Sequence, residues 1–128
     1  MPGVRLMPFK LHADPRGVLG AFESGADVDF QIKRVFYIKP AEGDVARAEH
    51  AFSATEAIVV LNGKAVADVD NGKERKNVTL RAGEGMLTIM PGIWLRLRDF
   101  DPCTIILVLA STTYAETTYS DSPFFKGS

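Results

Sequence analysis

The stretch GDVARAEHAFSATEAIVVLNG, residues 43–63, decides the fold prediction. It contains His50, one of two histidines in the chain, and an apolar, β-branched run at 57–61 that stops at Asn62-Gly63. Asn-Gly is the preferred pair for a two-residue type I′ turn, because both positions need positive φ. Residues 65–69 then alternate apolar and polar character, as a half-buried strand does. The stretch therefore predicts a polar rim, a buried strand and a hairpin, an arrangement by which a small β-barrel forms a pocket at its mouth.

Short strands separated by turn residues are predicted along the rest of the chain. Residues 1–13 alternate weakly and predict an edge strand or a strand exchanged with a second copy. Further strands are predicted at 18–23, 30–38, 73–80, 86–90, 93–98 and 103–110, with turns at Asp14-Pro15-Arg16-Gly17, Asp70-Asn71-Gly72 and Pro91-Gly92. This spacing, without a helical period before residue 111, indicates an all-β sandwich or barrel. We expect one domain over residues 1–128, in which residues 111–128 form a C-terminal tail.

Composition excludes several classes of partner. The chain has 15 basic and 16 acidic residues and a net charge of −1, so it has no overall field for nucleic acid or an anionic membrane. The longest apolar run is far shorter than the roughly 18 residues that a membrane helix needs, and the N-terminus does not read as a signal peptide. We therefore expect a cytoplasmic protein. The single Cys103 excludes an intrachain disulfide and is predicted to be a small core residue.

A series of motifs, in this order, resembles one protein family. The spacing Gly43-x6-His50-x-Phe52-x3-Glu56-x6-Gly63, followed by Gly85-x5-Pro91, is similar to the two-part cupin signature. The more specific motifs are Asp14-Pro15-Arg16-Gly17, Ile32-Lys33-Arg34-Val35-Phe36-Tyr37-Ile38, Arg47-x-x-His50-Ala51, Leu61-Asn62-Gly63, Pro91-Gly92-Ile93-Trp94 and Val108-Leu109-Ala110-Ser111-x-x-Tyr114-x-Glu116-Thr117. Together they resemble the WxcM-like sugar-nucleotide 3,4-ketoisomerases, cupins that act on dTDP-4-oxo-6-deoxyglucose in deoxysugar biosynthesis.

The resemblance implies a fold, a reaction and an assembly. The fold is a cupin-like jelly roll, also called a double-stranded β-helix. The reaction is isomerisation of a nucleotide-linked 4-keto-6-deoxy sugar by proton transfer between adjacent sugar carbons, without a cofactor. The assembly is a homodimer in which N-terminal strands complete the partner's sheet.

Two positions depart from the family pattern. The ketoisomerases carry His-Ala-His where this chain has His50-Ala51-Phe52, and Trp-His where it has Trp94-Leu95. A one-residue gap between His50 and Leu61 leaves a second alignment open, which places Glu49 at the first histidine position. With one histidine in this region, and His12 distant in the sequence, we expect no metal site, since such sites prefer several nitrogen ligands.

His50 is the candidate acid and base, with Tyr37 and Glu56 as its helpers. An imidazole titrates near neutral pH and transfers a proton in both directions, which contributes roughly 10²–10⁴-fold to a rate. The structural alternatives stay open: His50 as a rim histidine bonded to backbone, Tyr37 as a core aromatic residue and Glu56 as a solvated strand end. Strand alternation places Arg47 and Glu49 opposite to His50, unless a bulge intervenes.

Arg34, Arg47 and Arg16 are the candidates to bind a diphosphate, because the planar guanidinium fork matches phosphate oxygens. Arg34 is preferred since it shares a strand face with apolar residues, where an unpaired charge is unfavourable. The alternative for each arginine is a solvated surface position. Trp94 is predicted either to stack on a base or sugar or to pack in the core.

Two other functions remain open from the sequence. One is a catalytically silent sugar-nucleotide-binding cupin, which kept the pocket and lost the imidazoles. The other is a related sugar epimerase that uses a different acid/base pair on the same barrel.

Overall fold

The computed structural model describes residues 1–43 and 45–127, so that Asp44 and Ser128 lie outside the described residues. Within these ranges the chain forms twelve β-strands and no helix, and hence no helix that could cross a membrane. The strands are β1 Val4–Met7, β2 Leu11–Asp14, β3 Gly17–Gly20, β4 Arg34–Ile38, β5 Arg47–Phe52, β6 Glu56–Asn62, β7 Lys64–Asp70, β8 Arg75–Arg81, β9 Met86–Ile89, β10 Trp94–Arg98, β11 Ile105–Ala110 and β12 Tyr119–Ser120. The all-β prediction is confirmed.

Ten of the described strands form two antiparallel sheets of five strands each. The first sheet has the order β1-β9-β6-β11-β4 and the second has the order β12-β5-β10-β7-β8, while β2 and β3 form a separate hairpin. Every second side chain of the central strands is buried in one apolar cluster to which both sheets contribute, including Ile58, Leu87 and Ile106 from the first sheet and Val69, Leu95 and Leu97 from the second. The period of two in the sequence thus places one face of each sheet in a shared core.

The predicted type I′ hairpin at Asn62-Gly63 is wrong. β6 pairs with β9 and β11, whereas β7 pairs with β8 and β10, so the two strands belong to different sheets. Gly63 has φ +82°, but Asn62 is not among the described residues with positive φ. A Cβ atom on Gly63 would overlap the side chain of Thr104. The pair therefore forms a corner between sheets, where glycine permits a close approach of two chain segments.

Two other predicted turns are confirmed, and two local predictions need correction. Asp70↔Arg75 and Asp14↔Gly17 are the last pairs of the β7–β8 and β2–β3 hairpins. The strand predicted over residues 30–38 begins only at Arg34. Cys103 is exposed rather than buried, since it lies in the turn before β11, where its φ is +62°.

Both ends of the chain contact the two sheets. β1 pairs with β9 at the edge of the first sheet, which agrees with the predicted edge strand. β12 pairs with β5 at the edge of the second sheet, through Tyr119↔Phe52 and Ser120↔Ala51. This pairing places the C-terminal segment beside the stretch that contains His50.

Candidate active site

A cavity of about 650 Å³ opens between the two sheets. Five of the seven predicted site residues line it, namely Arg34, Tyr37, Arg47, His50 and Glu56. Strands β4 and β6 carry Arg34, Tyr37 and Glu56 on the first sheet, and β5 carries Arg47 and His50 on the second. The fold thus brings together polar side chains that lie up to 22 positions apart in sequence.

A β-bulge in β5 decides which of its side chains face the cavity. In the pairing with β10, Leu95 lies opposite His50 and Arg96 lies opposite Ala48, so that Glu49 has no partner in this register. Ala48 and Glu49 have φ of +72° and +63°, a left-handed conformation that costs non-glycine residues about 1–3 kcal/mol each. The bulge places Arg47 on the same side as His50, whereas unbroken alternation would place it on the other. Glu49 is exposed and does not line the cavity.

His50 lies between two aromatic rings. Its ring centroid is 4.9 Å from that of Tyr119 and 5.6 Å from that of Phe52, both in edge-to-face geometry. Within the described residues neither ring nitrogen has a hydrogen-bond partner. Burial lowers the pKa of His50 from its ordinary value, and the charge of Asp121 opposes this effect. His50 is therefore neutral at pH 7 and able to accept a proton.

Glu56 and Arg34 form the opposite wall. Both pair with Ala110 of β11, one from each side, and their charged groups are 3.8 Å apart between Nη2 and Oε2. Glu56 is only 4% exposed, and burial raises its pKa from 4.5 to about 7 although Arg34 opposes this shift. The carboxyl group therefore exchanges a proton near neutral pH, unlike an exposed glutamate.

The guanidinium of Arg34 is held between aromatic rings. It lies 4.7 Å from the ring centroid of Phe36 and 5.6 Å from that of Tyr114. Its Nε is buried without a hydrogen-bond partner among the described residues. The prediction that Arg34 shares an inner face with Phe36 and Ile38 agrees with the burial pattern of β4. Cation–π contacts and attraction to the carboxylate of Glu56 offset the desolvation cost of burying this guanidinium.

The rest of the cavity lining, which both sheets contribute, is apolar. Phe52 and Leu95, the two positions where the family pattern has histidine, are 4% and 2% exposed and both line the cavity. Ile58 and Val108 of the first sheet and Leu97 of the second sheet also line the cavity. The departures seen in sequence therefore change the chemistry of the site itself, leaving one imidazole in its lining.

Three predicted site residues lie at the border of the cavity or outside its lining. Tyr37 borders the cavity but is 66% exposed, because it alternates with Phe36 and Ile38 along β4. Arg16 and Trp94 lie outside the cavity lining. Arg16 is at the tip of the β2–β3 hairpin, where its Nη2 donates to Asp14 at 2.6 Å.

Trp94 is excluded from the cavity by strand alternation. It precedes Leu95 in β10, and successive side chains of a strand face opposite sides of the sheet. Leu95 points into the core, so Trp94 lies on the outer face, where the guanidinium of Arg75 is 5.2 Å from its ring centroid. In this position it packs against a charged side chain rather than a ligand in the cavity.

Sequence reasoning missed two tyrosines of the C-terminal segment. Tyr114 and Tyr119 both line the cavity, against Arg34 and His50 respectively. Tyr114 belongs to the last of the motifs quoted above, so that motif was the available signal. Tyr119 is in a two-residue strand with no periodicity of its own, and no local pattern marks it.

The described residues contain no group of three or more His, Cys, Asp or Glu side chains placed to hold a metal ion. His12, the second histidine, is exposed on β2 of the separate hairpin and does not line the cavity. The metal-free site stays a prediction.

The family model described as FdtA, WxcM-like, C-terminal, matches residues 2–125. The chain belongs to this family. A curated member, TDP-4-oxo-6-deoxy-alpha-D-glucose-3,4-oxoisomerase from Aneurinibacillus thermoaerophilus, is 35% identical over 116 residues, which cover 90% of this chain and 84% of that protein. The WxcM-like assignment made from the motifs is thus confirmed.

Solved structures of 3,4-ketoisomerases have the same fold as this WxcM-like chain. A double mutant of the QdtA 3,4-ketoisomerase from Thermoanaerobacterium thermosaccharolyticum, in complex with TDP, has a TM-score of 0.89 at 34% identity, covering 95% of this chain and 89% of that one. The TDP-fucose-3,4-ketoisomerase WlaRA from Campylobacter jejuni has a TM-score of 0.85 at 28% identity, covering 95% and 90%. These similarities confirm the predicted cupin-like jelly roll.

Proposed function

We propose that this protein is a sugar-nucleotide 3,4-ketoisomerase acting on a nucleotide-linked 4-keto-6-deoxy sugar. The observation that carries the proposal is the cavity itself, in which a neutral imidazole and a carboxyl group with a pKa of about 7 line opposite sheets. Membership of the FdtA family over residues 2–125 supports the same activity. A structure of the related QdtA enzyme, at 32% identity, contains TDP-4-keto-6-deoxyglucose.

In the proposed mechanism, His50 moves a proton between two neighbouring sugar carbons. Its neutral imidazole removes the proton from C3, and the electron pair forms an enediol with the C4 carbonyl carbon. The imidazolium then returns the proton to C4, while the hydroxyl proton passes from O3 to O4. The product carries the ketone at C3 and the hydroxyl at C4, so all atoms and electrons balance.

Glu56 is the group we assign to the oxygen atoms. In its protonated form it donates a hydrogen bond to the ketone oxygen as negative charge develops there, and it accepts the proton of the other hydroxyl. Glu56 becomes negatively charged when it gives up its proton, and the guanidinium of Arg34, 3.8 Å away, stabilises that charge. Tyr37 alternates with the inward-facing Phe36 and Ile38 and is 66% exposed, so its hydroxyl has no role in this step.

The diphosphate is assigned to arginines at the cavity. Arg34 is held in place by two rings, and Arg47 is exposed at the rim on the opposite sheet. Guanidinium groups on two walls are able to bind the two phosphates of one ligand. Arg16 and Trp94, which lie outside the cavity lining, have no role in this proposal.

A silent sugar-nucleotide-binding protein is the second candidate, because Phe52 and Leu95 replace two imidazoles in the cavity wall. A turnover assay distinguishes the isomerase from the silent binding protein. TDP-4-keto-6-deoxyglucose in D₂O is followed by ¹H NMR, with binding measured by calorimetry on the same sample. Formation of a 3-keto product supports the isomerase, and protium retained at C4 indicates direct transfer by His50 whereas deuterium at C4 indicates exchange of the imidazolium proton with solvent. Binding without any change in the sugar spectrum supports the silent protein, and inversion of a ring carbon without ketone migration supports the epimerase.

We also propose that the protein forms a homodimer. In the described part of the chain, β4 has a neighbouring strand on one side only, and the hairpin β2–β3 pairs with neither large sheet. Val18, Leu19 and Tyr37 are between 61% and 69% exposed on these elements. A partner's hairpin or strand that covers this edge would bury them. Light scattering at micromolar concentration should give twice the 14.0 kDa chain mass, and a mass near 14.0 kDa contradicts the dimer.

The organisation as one domain over residues 1–128, including the tail from residue 111, and the cytoplasmic location remain proposals. The pairing of β12 with β5 supports the first, since it attaches the tail to the second sheet.

A further inference from the structure

We propose that Tyr119 is a positioning residue that holds the ring of His50 in its productive orientation. The inference deepens the proposed isomerase, since it assumes that His50 transfers the proton. It concerns a side chain that neither the motifs nor the family comparison assigns to the reaction.

His50 is held by aromatic contacts and not by a hydrogen bond among the described residues. A proton-transferring imidazole is usually oriented by a hydrogen bond to its second nitrogen. Within the described residues His50 has no such bond, and its ring contacts are with Tyr119 and Phe52. Edge-to-face contacts between rings have preferred angles, so two of them restrict the rotation of the imidazole plane. Aromatic packing thus takes the place of the hydrogen bond.

Tyr119 is itself held in place by the pairing of its strand with β5. β12 is only two residues long, and its pairing Tyr119↔Phe52 attaches it to the strand that carries His50. The backbone N–H of Ser53 donates to the carbonyl of Thr118 at 3.0 Å, and the N–H of Thr118 donates to Oγ of Ser53 at 2.9 Å. These bonds fix the backbone next to Tyr119, so its ring has a defined position against the imidazole.

Tyr119, His50 and Phe52 form a cluster of three rings, in which Tyr119 lies on the solvent side. Its ring centroid is 6.4 Å from that of Phe52 and 4.9 Å from that of His50. Phe52 is buried, whereas Tyr119 is 47% exposed and lines the cavity. Tyr119 therefore separates His50 from solvent on one side, and Phe52 supports the ring on the other. Other charged groups near this ring are Asp121, which follows β12, and Arg47, which shares the cavity lining.

Three substitutions at this position test the inference. Tyr119→Phe keeps the ring, Tyr119→Leu keeps apolar volume without a ring, and Tyr119→Ala removes both. Phe124→Ala is the matched control, because Phe124 is an aromatic residue of the same segment outside the cavity lining. Far-ultraviolet circular dichroism and thermal melting first establish that each variant is folded.

Steady-state kinetics give the first measurement. We expect kcat of Tyr119→Phe to stay within about threefold of wild type, and kcat of Tyr119→Leu to fall roughly tenfold or more with little change in KM, because the imidazole loses its orientation. Wild-type kcat in Tyr119→Leu overturns the inference. An equal loss in Tyr119→Phe also overturns it, since the hydroxyl and not the ring would then be required.

Titration of the histidine side chains by NMR is the second measurement, and it needs no turnover. The chain has two histidines, so His12, exposed on β2, is an internal reference, and the His50 signal is assigned by its loss in His50→Asn. The pKa of His50 should rise towards its ordinary value in Tyr119→Ala and not in Phe124→Ala. If the pKa of His50 is unchanged in Tyr119→Ala, the Tyr119 ring does not shield His50 and the inference is overturned. If wild type lacks turnover while this shift is found, the isomerase proposal fails and the contact between the two rings stands.

Discussion

Replacing Glu56 with glutamine is expected to make the protein more stable at neutral pH while it impairs the reaction. Burial raises the pKa of Glu56 from 4.5 to about 7. Each tenfold change in proton affinity corresponds to about 1.4 kcal/mol, so ionisation of this side chain costs roughly 3 kcal/mol of folding free energy. Glutamine has nearly the same shape and hydrogen-bonding capacity but never ionises.

The direction of the pH dependence follows from the raised pKa. Below pH 4.5 Glu56 is protonated in both the folded and the unfolded chain, and it contributes no penalty. Between pH 4.5 and about 7 the unfolded chain ionises while the folded chain keeps the proton, so stability falls as pH rises. Above pH 7 the full penalty is present, and Glu56→Gln should remove it.

Urea unfolding of wild type and Glu56→Gln at a series of pH values measures this difference. The variant should gain roughly 3 kcal/mol at pH 8 and about nothing at pH 4.5, because the titration of other groups cancels in the comparison. Glu116→Gln is the control: hydrogen bonds from Thr113 lower the pKa of Glu116 on the surface, so this variant should lose rather than gain stability at pH 8. A difference between wild type and Glu56→Gln that is constant across pH would refute the reasoning.

Four further outcomes are expected. His50→Asn should lower kcat roughly 10²-fold with binding little changed, and an active His50→Asn enzyme would assign the proton to another group. Arg34→Lys should weaken binding of TDP in calorimetry without loss of the fold, because an ammonium group reproduces neither the fork nor the stacking, and wild-type affinity would place the phosphate elsewhere. Gly63→Ala should lower the free energy of unfolding, measured in urea, by about 1–3 kcal/mol more than Gly25→Ala does. Both glycines have φ +82°, but only Gly63 lies against another residue, Thr104. Equal losses of stability in the two variants would exclude the close contact as the reason. Elemental analysis should find no stoichiometric Zn, Fe or Mn, and one such ion per chain that is lost in His50→Asn would contradict the metal-free site.

Much of the architecture and part of the candidate site could be predicted from local patterns. The alternation around Arg34 correctly placed a charged side chain on an inner face, because a strand's period of two is a local property. The turn chemistry at residues 70–72 correctly predicted a hairpin for the same reason. His50 and Glu56 were proposed partly from family spacing, and the structure places both in one cavity.

Other features were decided by contacts between residues that are distant in sequence. Asn62-Gly63 has hairpin chemistry, yet its flanking strands find better partners in two different sheets. The bulge at Ala48-Glu49 uses left-handed residues that no local propensity favours, and it lets β5 pair with β10 while both Arg47 and His50 face the cavity.

The amino-acid sequence by itself thus determined the strand content, the apolar faces and the family of this protein. The tertiary structure decided which side chains meet: Tyr119 with His50, and Arg34 with a carboxyl group buried deeply enough to titrate near pH 7. The physical reason is that burial and pairing energies depend on neighbours contributed by remote segments. A single strand specifies which of its side chains face inward, but not what they face.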